Sequence, residues 1–497
     1  MHRCAWGLPS GFQRRYAMLI PERDLSICMM NNPAQPICIA VDLGASSGRV
    51  AWARPTAAGL EISIVHRFPN QPAERAGRLY WDLEYLEREI FHGLRLAATA
   101  APGPIAAIGM DGWAVDYVWL DAAGHALRPP YCYRDARTEM ALPGLQRHIS
   151  DARLYALTGC RTLRFNTLYQ LYADVIADGI PEGAVRWLTL PEYFLHRLGA
   201  RPVMDSTMAT HTQMLQLNRQ WSAEIFAAAG LALAAAPEVV PAGCDLGNMS
   251  PDWRTQPAFS DTRLIAPACH DTAAAIAGLE AEFGLDAETA YLISGTWSLL
   301  GCALPEPLVT EAARATEFTN QGGVEALSPL TPPNRIYFLK NINGLWLWEE
   351  CLRAWREAGR DWPRDELLAA VRAAGDVEAG FDVHAPELLL PGHMPERICR
   401  LLAARGIAAS PGPDAAPRLT ALIFASLAQA YAGSLRQLSG MTGRRFCRLI
   451  VAGGGVRNHL LNQLVGERTG LEIVPGPAEP SLAGNAGVQL HALQSCL

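Results

Sequence analysis

A turn of small residues after an apolar run is the first place where residue types and spacing suggest chemistry. Residues 44–48 read Gly-Ala-Ser-Ser-Gly and are followed by Arg49. Backbone N–H groups in such a turn can contact phosphate oxygens without hindrance from side chains, and the arginine adds positive charge. Asp42, at the end of the apolar run, offers a carboxylate to Mg²⁺ or its water shell. The turn alone is equally compatible with an ordinary β-hairpin, and Asp42 with a turn cap.

Two later positions carry similar signals. Asp271 precedes an alanine-rich segment, 273–282, that is predicted to be helical. The positive end of a helix dipole favours an ionised carboxylate there, although an N-cap aspartate is a common structural alternative. Three consecutive glycines, 453–455, separate a predicted strand from a predicted helix, where the missing side chains would let a nucleotide approach the backbone. A glycine triplet alone does not specify that function.

Residues 44–48 also match G-x-S-x-G, the nucleophile elbow of serine hydrolases, with Ser46 as the nucleophile. That elbow requires a strand, a sharp turn and then a helix. Residues 50–53 continue instead as an apolar strand after the turn. The sequence therefore disfavours the hydrolase interpretation.

The elements that must position these residues follow from the hydrophobic pattern and from glycine and proline. Segment 139–235 is predicted to hold helices and loops, and the Pro- and Gly-rich stretch 241–257 a crossover between domains. The pattern predicts two α/β halves, each with a glycine-containing turn after a buried strand. The predicted strands are 37–41, 50–53, 60–68, 105–110, 117–120, 264–266, 290–293 and 448–452, and the main helices are 82–96, 273–282, 417–438 and 460–468.

Length and composition limit the class of protein. The chain has 497 residues, enough for two or three domains with cores of their own, and its 50% hydrophobic content excludes disorder. No apolar run reaches the ~18 residues of a membrane span. A net charge of -7 without Lys/Arg runs argues against nucleic acid as the main partner. Twelve scattered cysteines without a CxxC pair fit reduced thiols in a cytoplasmic protein.

The first 36 residues differ from the rest. They contain several arginines but neither the apolar core nor the cleavage site of a secretory signal. Because Met29 and Met30 directly precede a turn-rich lead into the first strand, we expect residues 1–36 to be a disordered or wrongly assigned extension. Lys340 is the sole lysine, which fits a coding bias as well as it fits a direct role.

Taken together, the motifs resemble the FGGY carbohydrate kinases, and among them most closely the rhamnulokinases. The resemblance runs from about residue 37 to about residue 493, and so many blocks in one order make a chance match very improbable. The blocks are VDLGASSGRV at 41–50, GMDGWAVDY at 109–117, YRDART at 133–138, NTLYQLYA at 166–173, HDTA at 270–273, SGTWSL at 294–299, TNQGGV at 319–324, LKNINGLW at 339–346 and GGGVRNHLLNQL at 453–464.

This resemblance implies a two-domain, actin-like ATPase fold of the α/β class with ATP and sugar in the interdomain cleft. It implies domains over 37–247, for sugar and phosphate, and 248–497, for the nucleotide and the catalytic aspartate. Asp271 would be the base that takes the proton from a ketose 1-hydroxyl, and Asp42 would act through Mg²⁺. For ATP the resemblance implies Ala45, Ser46, Ser47, Gly48, Arg49, Thr296, Glu349, Gly453, Gly454 and Gly455, and for the sugar Trp113, Ala114, His270, Thr272 and Asn341.

Three departures from the rhamnulokinase pattern concern the substrate. Where that group reads DTWGVD, this chain has Gly112 in place of Thr and Ala114 in place of a sugar-facing Gly. One methyl in a tight pocket shifts discrimination by about 1–3 kcal/mol, enough to alter the preferred sugar. Glu349 replaces a Gln that contacts ATP, so its carboxylate is expected to face the ribose or to turn away.

The predicted function is ATP-dependent phosphorylation of a small ketose, such as L-rhamnulose or a related deoxy-ketose or ketopentose, at its terminal hydroxyl. The alternative is a relative that binds sugar or nucleotide without catalysis, against which the retained aspartates argue. The expected partners are ATP, Mg²⁺ and a small ketose, without nucleic acid or membrane. The chain is expected to be a cytoplasmic monomer or homodimer.

Overall fold

The computed structural model describes residues 35–495 apart from residues 58, 326–334, 374, 376 and 379. The predicted N-terminal extension therefore lies outside the described residues, except for its last two. The strands are β1 (Ile37–Leu43), β2 (Ser47–Thr56), β3 (Gly59–Pro69), β4 (Ala73–Arg75), β5 (Arg78–Tyr80), β6 (Ile105–Gly112), β7 (Tyr117–Leu120), β8 (Arg186–Thr189), β9 (Val203–Asp205), β10 (Glu238–Val240), β11 (Cys244–Asn248), β12 (Arg263–Ala266), β13 (Thr289–Ser294), β14 (Trp297–Leu304), β15 (Thr319–Gly322), β16 (Ile336–Asn343), β17 (Arg448–Ala452) and β18 (Glu472–Pro475).

Helices surround and connect these strands. The predicted helices at 82–96, 273–282, 417–438 and 460–468 are present with slightly different ends. The helices are α1 (Leu83–Ala100), α2 (Ala141–Leu145), α3 (Asp151–Thr158), α4 (Thr167–Ala173), α5 (Leu190–Arg197), α6 (Ser206–His211), α7 (Ala223–Ala228), α8 (Pro251–Arg254), α9 (Asp271–Phe283), α10 (Glu311–Ala315), α11 (Trp346–Glu357), α12 (Arg364–Ala373), α13 (Met394–Ala403), α14 (Ala416–Thr442), α15 (His459–Thr469) and α16 (Pro480–Ser495).

Two six-stranded sheets share the topology of five strands, and the sixth strand lies at opposite edges, β11 beside β12 in the first sheet and β15 beside β16 in the second. The first has the order β3-β2-β1-β6-β12-β11 and the second the order β15-β16-β14-β13-β17-β18. In the first, β1, β2 and β3 are antiparallel neighbours, while β6 and β12 run parallel to β1. In the second, β13, β14 and β16 are antiparallel neighbours, while β17 and β18 run parallel to β13. The two predicted α/β halves are thus variants of one plan.

Each sheet packs its own core. On α1, Asp82 caps the first turn by accepting from the Tyr85 N–H, and Leu86, Ile90 and Leu94 are buried against the first sheet, as their spacing predicts. The long helix α14 buries sixteen residues, mostly apolar, in the core of the second half. Within the described residues, no helix combines the length and apolarity required to cross a lipid bilayer.

Helices α9 and α16 cross at very close range. A β-carbon placed on Gly484 would lie 1.7 Å from the Ala274 carbonyl oxygen, and one on Gly278 would lie 3.0 Å from the Gly484 nitrogen. Only glycine permits this approach. Helix α16 also packs against β1 and β6, so the last helix of the chain covers the first sheet.

Two predictions about organisation need correction. The stretch 241–257 is not a crossover, because residues Cys244–Asn248 form β11, the edge strand of the first sheet. Segment 139–235 contains the short strands β8 and β9 besides its helices. Strand β8 pairs antiparallel with the buried strand β7. A domain boundary at residue 247 would separate β12 from the sheet to which it belongs. Sheet membership favours a boundary between α9 and β13.

Candidate active site

Three carboxylates lie where parallel strands of the first sheet end. Asp42 belongs to β1 and Asp111 to β6, and the two are register partners. Asp271 begins α9, shortly after β12, and its neighbour His270 forms a bridge with Gly112 at the end of β6. Because carboxyl ends of parallel strands meet at one edge, where α/β proteins bind ligands, this edge is the candidate active site.

Asp42 links the two halves of the chain. Its buried carboxylate accepts hydrogen bonds of 2.7 Å from the Arg49 guanidinium and from the Ser481 hydroxyl. Arg49 also forms an ion pair with Glu479 at 3.3 Å, so its charge is partly neutralised within the protein. Ser481 and Glu479 follow β18 of the second sheet. The charged groups of the β1–β2 hairpin are therefore braced by the other half.

Asp111 is fully buried and is a site residue that sequence reasoning missed. Oδ2 accepts from the Asn485 side chain at 2.7 Å, while Oδ1 has no hydrogen-bond partner among the described residues. Burial, and then the charges of Asp42 and Asp271, raise the pKa of Asp111 well above its usual range. The sequence signal that could have identified Asp111 is its position at the end of β6, which resembles that of Asp42 at the end of β1.

Asp271 is the most accessible of the three, since its side chain retains 33% of its exposure. One oxygen accepts from the N–H of Thr272 at 2.5 Å and from its hydroxyl at 3.2 Å. Burial, followed by the charge of Asp42, raises the pKa of Asp271 to about 7. A carboxyl with this pKa can accept and release a proton near neutral pH.

A buried carboxyl pair supports the loop that carries His270. Asp205 caps α6 and accepts from the Cys269 N–H at 3.0 Å, and its own N–H donates to Glu192 at 3.2 Å. Burial raises the pKa of Glu192 to about 8 and that of Asp205 to about 6. Through the Cys269 N–H, Asp205 thus holds the backbone directly before His270.

The loop after β6 carries the predicted sugar residues Trp113 and Ala114, both of which are buried. The Trp113 indole N–H donates to Asp116 at 3.0 Å, and its ring lies 4.6 Å from that of Trp81. Val115 adopts a φ of +79°, a strained value for a β-branched residue. Its carbonyl oxygen is held by Thr167 at 2.9 Å and by Gln170 at 3.2 Å. The NTLYQ motif thus fixes this loop.

The first glycine turn joins β1 to β2 as predicted. The Gly44 N–H donates to the Ser47 carbonyl at 3.1 Å, and Asn70, absent from the sequence prediction, donates to the Gly44 carbonyl at 3.0 Å. A β-carbon on Gly48 would lie 2.1 Å from the Phe68 ring, so glycine is required there. Ser46 is exposed and a strand follows it, so the strand–turn–helix context of a nucleophile elbow is absent.

A second hairpin occupies the equivalent place in the second sheet. Thr296 is exposed at its tip, and the Gly295 N–H donates to the Trp297 carbonyl at 3.0 Å. The N–H groups of Leu345 and Trp346 donate to the carbonyls of Gly295 and Thr296 at 2.9 and 3.1 Å. The tip is thereby fixed to the start of α11, the helix that carries Glu349.

The glycine triplet packs on this second hairpin. β-carbons on Gly453 and Gly455 would lie 2.7 Å from the Ser294 carbonyl oxygen and 2.0 Å from the Ser294 hydroxyl. Gly454 is exposed and has no atom within 4 Å of its β-carbon position. Two of the three glycines therefore serve packing, and the middle one leaves an open surface.

The remaining predicted contacts lie on the second half. Glu349 forms a bidentate pair with Arg364 at 2.6 and 2.8 Å, so its carboxylate is neutralised. Asn341 points to the same face of β16 as Tyr337 and Leu339, because side chains alternate along a strand. Tyr337 and Leu339 pack with α9. Lys340 points to the opposite face of β16 and donates to the Gln437 side chain at 3.4 Å, so it lies away from α9. No contact in the structure tests Glu349 or Asn341 as ligand residues, so these stay predictions.

Comparison with known families and proteins explains this arrangement. The models for the N-terminal and C-terminal domains of the FGGY family of carbohydrate kinases match residues 37–278 and 290–493. The chain belongs to this family. The predicted two-domain actin-like fold and the enzyme class, a sugar kinase that uses ATP, are thereby confirmed, and catalytic silence is not supported.

Curated relatives and solved structures agree with this family assignment. Rhamnulokinases of Bacteroides thetaiotaomicron and Klebsiella pneumoniae subsp. pneumoniae are 34% and 36% identical, covering 90% and 92% of this chain and 89% of each relative. A gluconate kinase from Lactobacillus acidophilus has a TM-score of 0.73 at 13% identity over 93% of this chain and 90% of its own. Plasmodium falciparum glycerol kinase with ADP has a TM-score of 0.70 at 14% identity over 91% and 88%. These two structures establish the fold alone.

Proposed function

We propose that this protein transfers the γ-phosphoryl group of ATP to the terminal (1-)hydroxyl of a small ketose, L-rhamnulose or a related deoxy-ketose or ketopentose. The observation that carries the proposal is Asp271, a partly exposed carboxyl with a pKa of about 7 at the edge where β1, β6 and β12 end. The rhamnulokinase relatives support the choice of sugar.

In the proposed reaction, Asp271 accepts the proton of the sugar hydroxyl while that oxygen attacks the γ-phosphorus. The bond between the γ-phosphorus and the β–γ bridging oxygen breaks, and its electron pair leaves with ADP. Phosphoryl transfer depends mainly on in-line positioning and charge stabilisation, and a positioned base adds about 10²–10⁴-fold. Residues 45–49 and Thr296 would contact the phosphates, with Gly454 and Glu349 toward the rest of the nucleotide.

The acidic residues fit a divalent cation. Asp42 and Asp111 are adjacent, and the buried Oδ1 of Asp111 lacks a protein partner in the described part of the chain. Oxygen ligands of this kind suit Mg²⁺, which would offset the mutual repulsion of the carboxylates. When bound, Mg²⁺ would neutralise phosphate charge as it develops. We propose Asp42 as its principal ligand.

The sugar would lie between the β6 loop and the start of α9. Trp113 offers an apolar ring edge there, and His270, Thr272 and Asn341 offer hydrogen-bonding groups. Ala114 would face the sugar in this loop, where its methyl would narrow the space and favour a sugar that lacks bulk at that point. Closure of the two halves would exclude water, which would otherwise accept the phosphoryl group.

The test is a coupled ADP-release assay with Mg-ATP over L-rhamnulose, L-fuculose, both xyluloses, both ribuloses and D-fructose. We expect sugar-dependent turnover that falls at least ~10²-fold in Asp271→Asn. A thermal shift with ATP should be the same in both proteins, which shows that the variant folds and binds nucleotide. Turnover that survives in Asp271→Asn, or none with any ketose, contradicts the proposal.

A further inference from the structure

His270 lies between two side chains that come from different parts of the chain. The Gln321 amide N–H donates to Nδ1 of His270 at 2.8 Å, and the rings of His211 and His270 are 4.0 Å apart at an angle of 51°. Gln321 belongs to β15 of the second sheet, and His211 is the last residue of α6. Neither residue was singled out by sequence.

The hydrogen bond from Gln321 determines where the His270 ring carries its proton. Since Nδ1 accepts, it must present a lone pair. Burial, and then the neighbouring His211, lower the pKa of His270 well below its usual range, so the ring is neutral. The single proton is then on Nε2, which lies 3.4 Å from Oδ1 of Asp271. The protonated nitrogen is therefore the ring atom beside the carboxylate, at a separation at which the two groups form no hydrogen bond in this structure.

The surroundings restrict the ring further. His211 is itself kept neutral, because burial lowers its pKa to about 4, and its ring covers one face of His270. Strand β15 is fixed to the first half by the Asn320 N–H, which donates to the Gly159 carbonyl at 2.9 Å, and by the Gly322 N–H, which donates to Thr210 at 3.3 Å. Gln321 is thus held in place relative to His270.

Two buried polar atoms in this cluster form no well-aligned hydrogen bond in the described part of the chain, although the Gln321 side chain also interacts with that of His211. They are Oε1 of Gln321 and Nε2 of His211. Buried polar groups are normally satisfied, and exceptions concentrate where function requires them. The glutamine and the histidine are therefore candidates for a functional role.

We propose that Gln321 and His211 are positioning residues that hold His270 in the Nε2–H tautomer, with this N–H directed toward Asp271. This inference rests on the proposed function, because the donor beside Asp271 would stabilise the ionised base and orient the attacking hydroxyl. The residues act through His270 and need not touch either substrate.

The kinetic test compares Gln321→Met, which keeps the length of the side chain without a donor, with the exposed-site control Gln463→Met. Removing an outer partner of a metal-bound histidine typically lowers activity about 10–100-fold, and we take the same range for His270. We expect kcat with the sugar to fall in that range in Gln321→Met, with an unchanged KM for ATP. The control should match the wild type. An unchanged kcat in Gln321→Met overturns the proposal.

His211 is tested by a conservative pair. His211→Ala removes the ring that covers His270, and we expect a loss of kcat in the same direction. His211→Phe restores a ring of similar size, so it should recover most of that loss. Equal defects in the two variants would contradict a role in holding the His270 ring. Should His211→Ala fail to fold, Gln321→Met carries the test.

A direct readout is the tautomer itself. Long-range ¹H–¹⁵N spectra of protein labelled on histidine, with His270 assigned by its disappearance in His270→Asn, distinguish Nε2–H from Nδ1–H. We expect Nε2–H in the wild type and a mixture in Gln321→Met. An Nδ1–H ring in the wild type refutes the proposal. Because these spectra need no turnover, their failure is distinguishable from a failure of the proposed kinase function.

Discussion

The β1–β2 and β13–β14 hairpins occupy the same place in two sheets that share the topology of five strands, yet they carry different side chains. The first brings together Asp42 and Arg49, with Asp111 on the neighbouring parallel strand. In place of charged groups, the second has the hydroxyls of Ser294, Thr296 and Ser298 near its turn. The shared backbone fixes where each turn lies, and a few residues at the strand ends decide which chemical groups the turn carries.

The two hairpins are also supported differently. The first is held by side chains, since Arg49 binds Asp42 and Glu479, and Asn70 binds the turn. The second is held by backbone contacts with α11 and by glycines packed on Ser294. Changes in charge should therefore affect the first hairpin more than the second, whereas both hairpins are sensitive to added volume at their glycines.

The largest expected difference comes from equivalent substitutions in β1 and β13. Asp42→Asn should lower kcat by about 10²-fold or more, the size typical of removing a group that stabilises charge in the transition state. Ser294→Ala should leave kcat nearly unchanged, because the Ser294 hydroxyl has no partner in the described part of the chain. Steady-state kinetics at several Mg²⁺ concentrations measure both. Similar losses in the two variants would remove the distinction between the halves.

The pH dependence should originate in the first half. Asp271 must be ionised to accept a proton, and its pKa is raised to about 7 by burial and by Asp42. We expect kcat/KM for the sugar to fall about tenfold per pH unit below that value and to be flat above it. Thr296→Ala should not move this limb. A profile that is flat from about pH 5.5 to 8 would exclude Asp271 as the titrating base.

The glycine triplet tests packing in the second half. Gly455→Ala places a β-carbon 2.0 Å from the Ser294 hydroxyl, so we expect a loss of about 1–3 kcal/mol in the free energy of unfolding. Gly454→Ala is the matched control, since its β-carbon meets nothing within 4 Å. Denaturant unfolding compares them. If Gly454 lines the nucleotide site as proposed, its variant raises the KM for ATP without loss of stability.

The smallest expected effect concerns the exposed pair of Glu349 and Arg364. Exposed ion pairs contribute about 0.2–1 kcal/mol, so Glu349→Ala and Arg364→Ala should each change stability by no more than that. Their effect on the KM for ATP separates two interpretations of Glu349. A larger KM in Glu349→Ala alone supports a contact with the nucleotide, and equal values in both variants argue that the carboxylate has turned away.

Sequence patterns predicted the parts of the fold that depend on local periodicity. Strand β1, the glycine turn, α1 and α14 are recognisable because apolar spacing and glycine are local signals. The edge strand β11 was not predicted because its five residues, CDLGN, show no strand-like alternation of apolar and polar side chains, and only pairing with β12 makes it a strand. The shared topology of the two sheets could not be read from the chain, since strand order is set by contacts distant in sequence.

The site shows the same division. The aspartates in motifs were predicted, whereas Asp111, Asn485 and Ser481 were not, because their relevance appears only when α16 packs beside β1 and β6. Gln321 stood within a quoted block, yet its contact with His270 spans 51 positions. Local motifs identify groups that do chemistry, and the residues that hold those groups in place come from elsewhere in the chain.

The position of α16 has a consequence for how the molecule is made. This helix ends at Ser495, yet it covers the face of the first sheet formed by residues such as Cys38, Ala40 and Ala51. During synthesis, that apolar face remains exposed to solvent until more than 400 further residues have left the ribosome. The nascent chain should therefore depend on chaperones for its first half. A stop codon before residue 480 would leave one face of the N-terminal sheet without the helix that covers it.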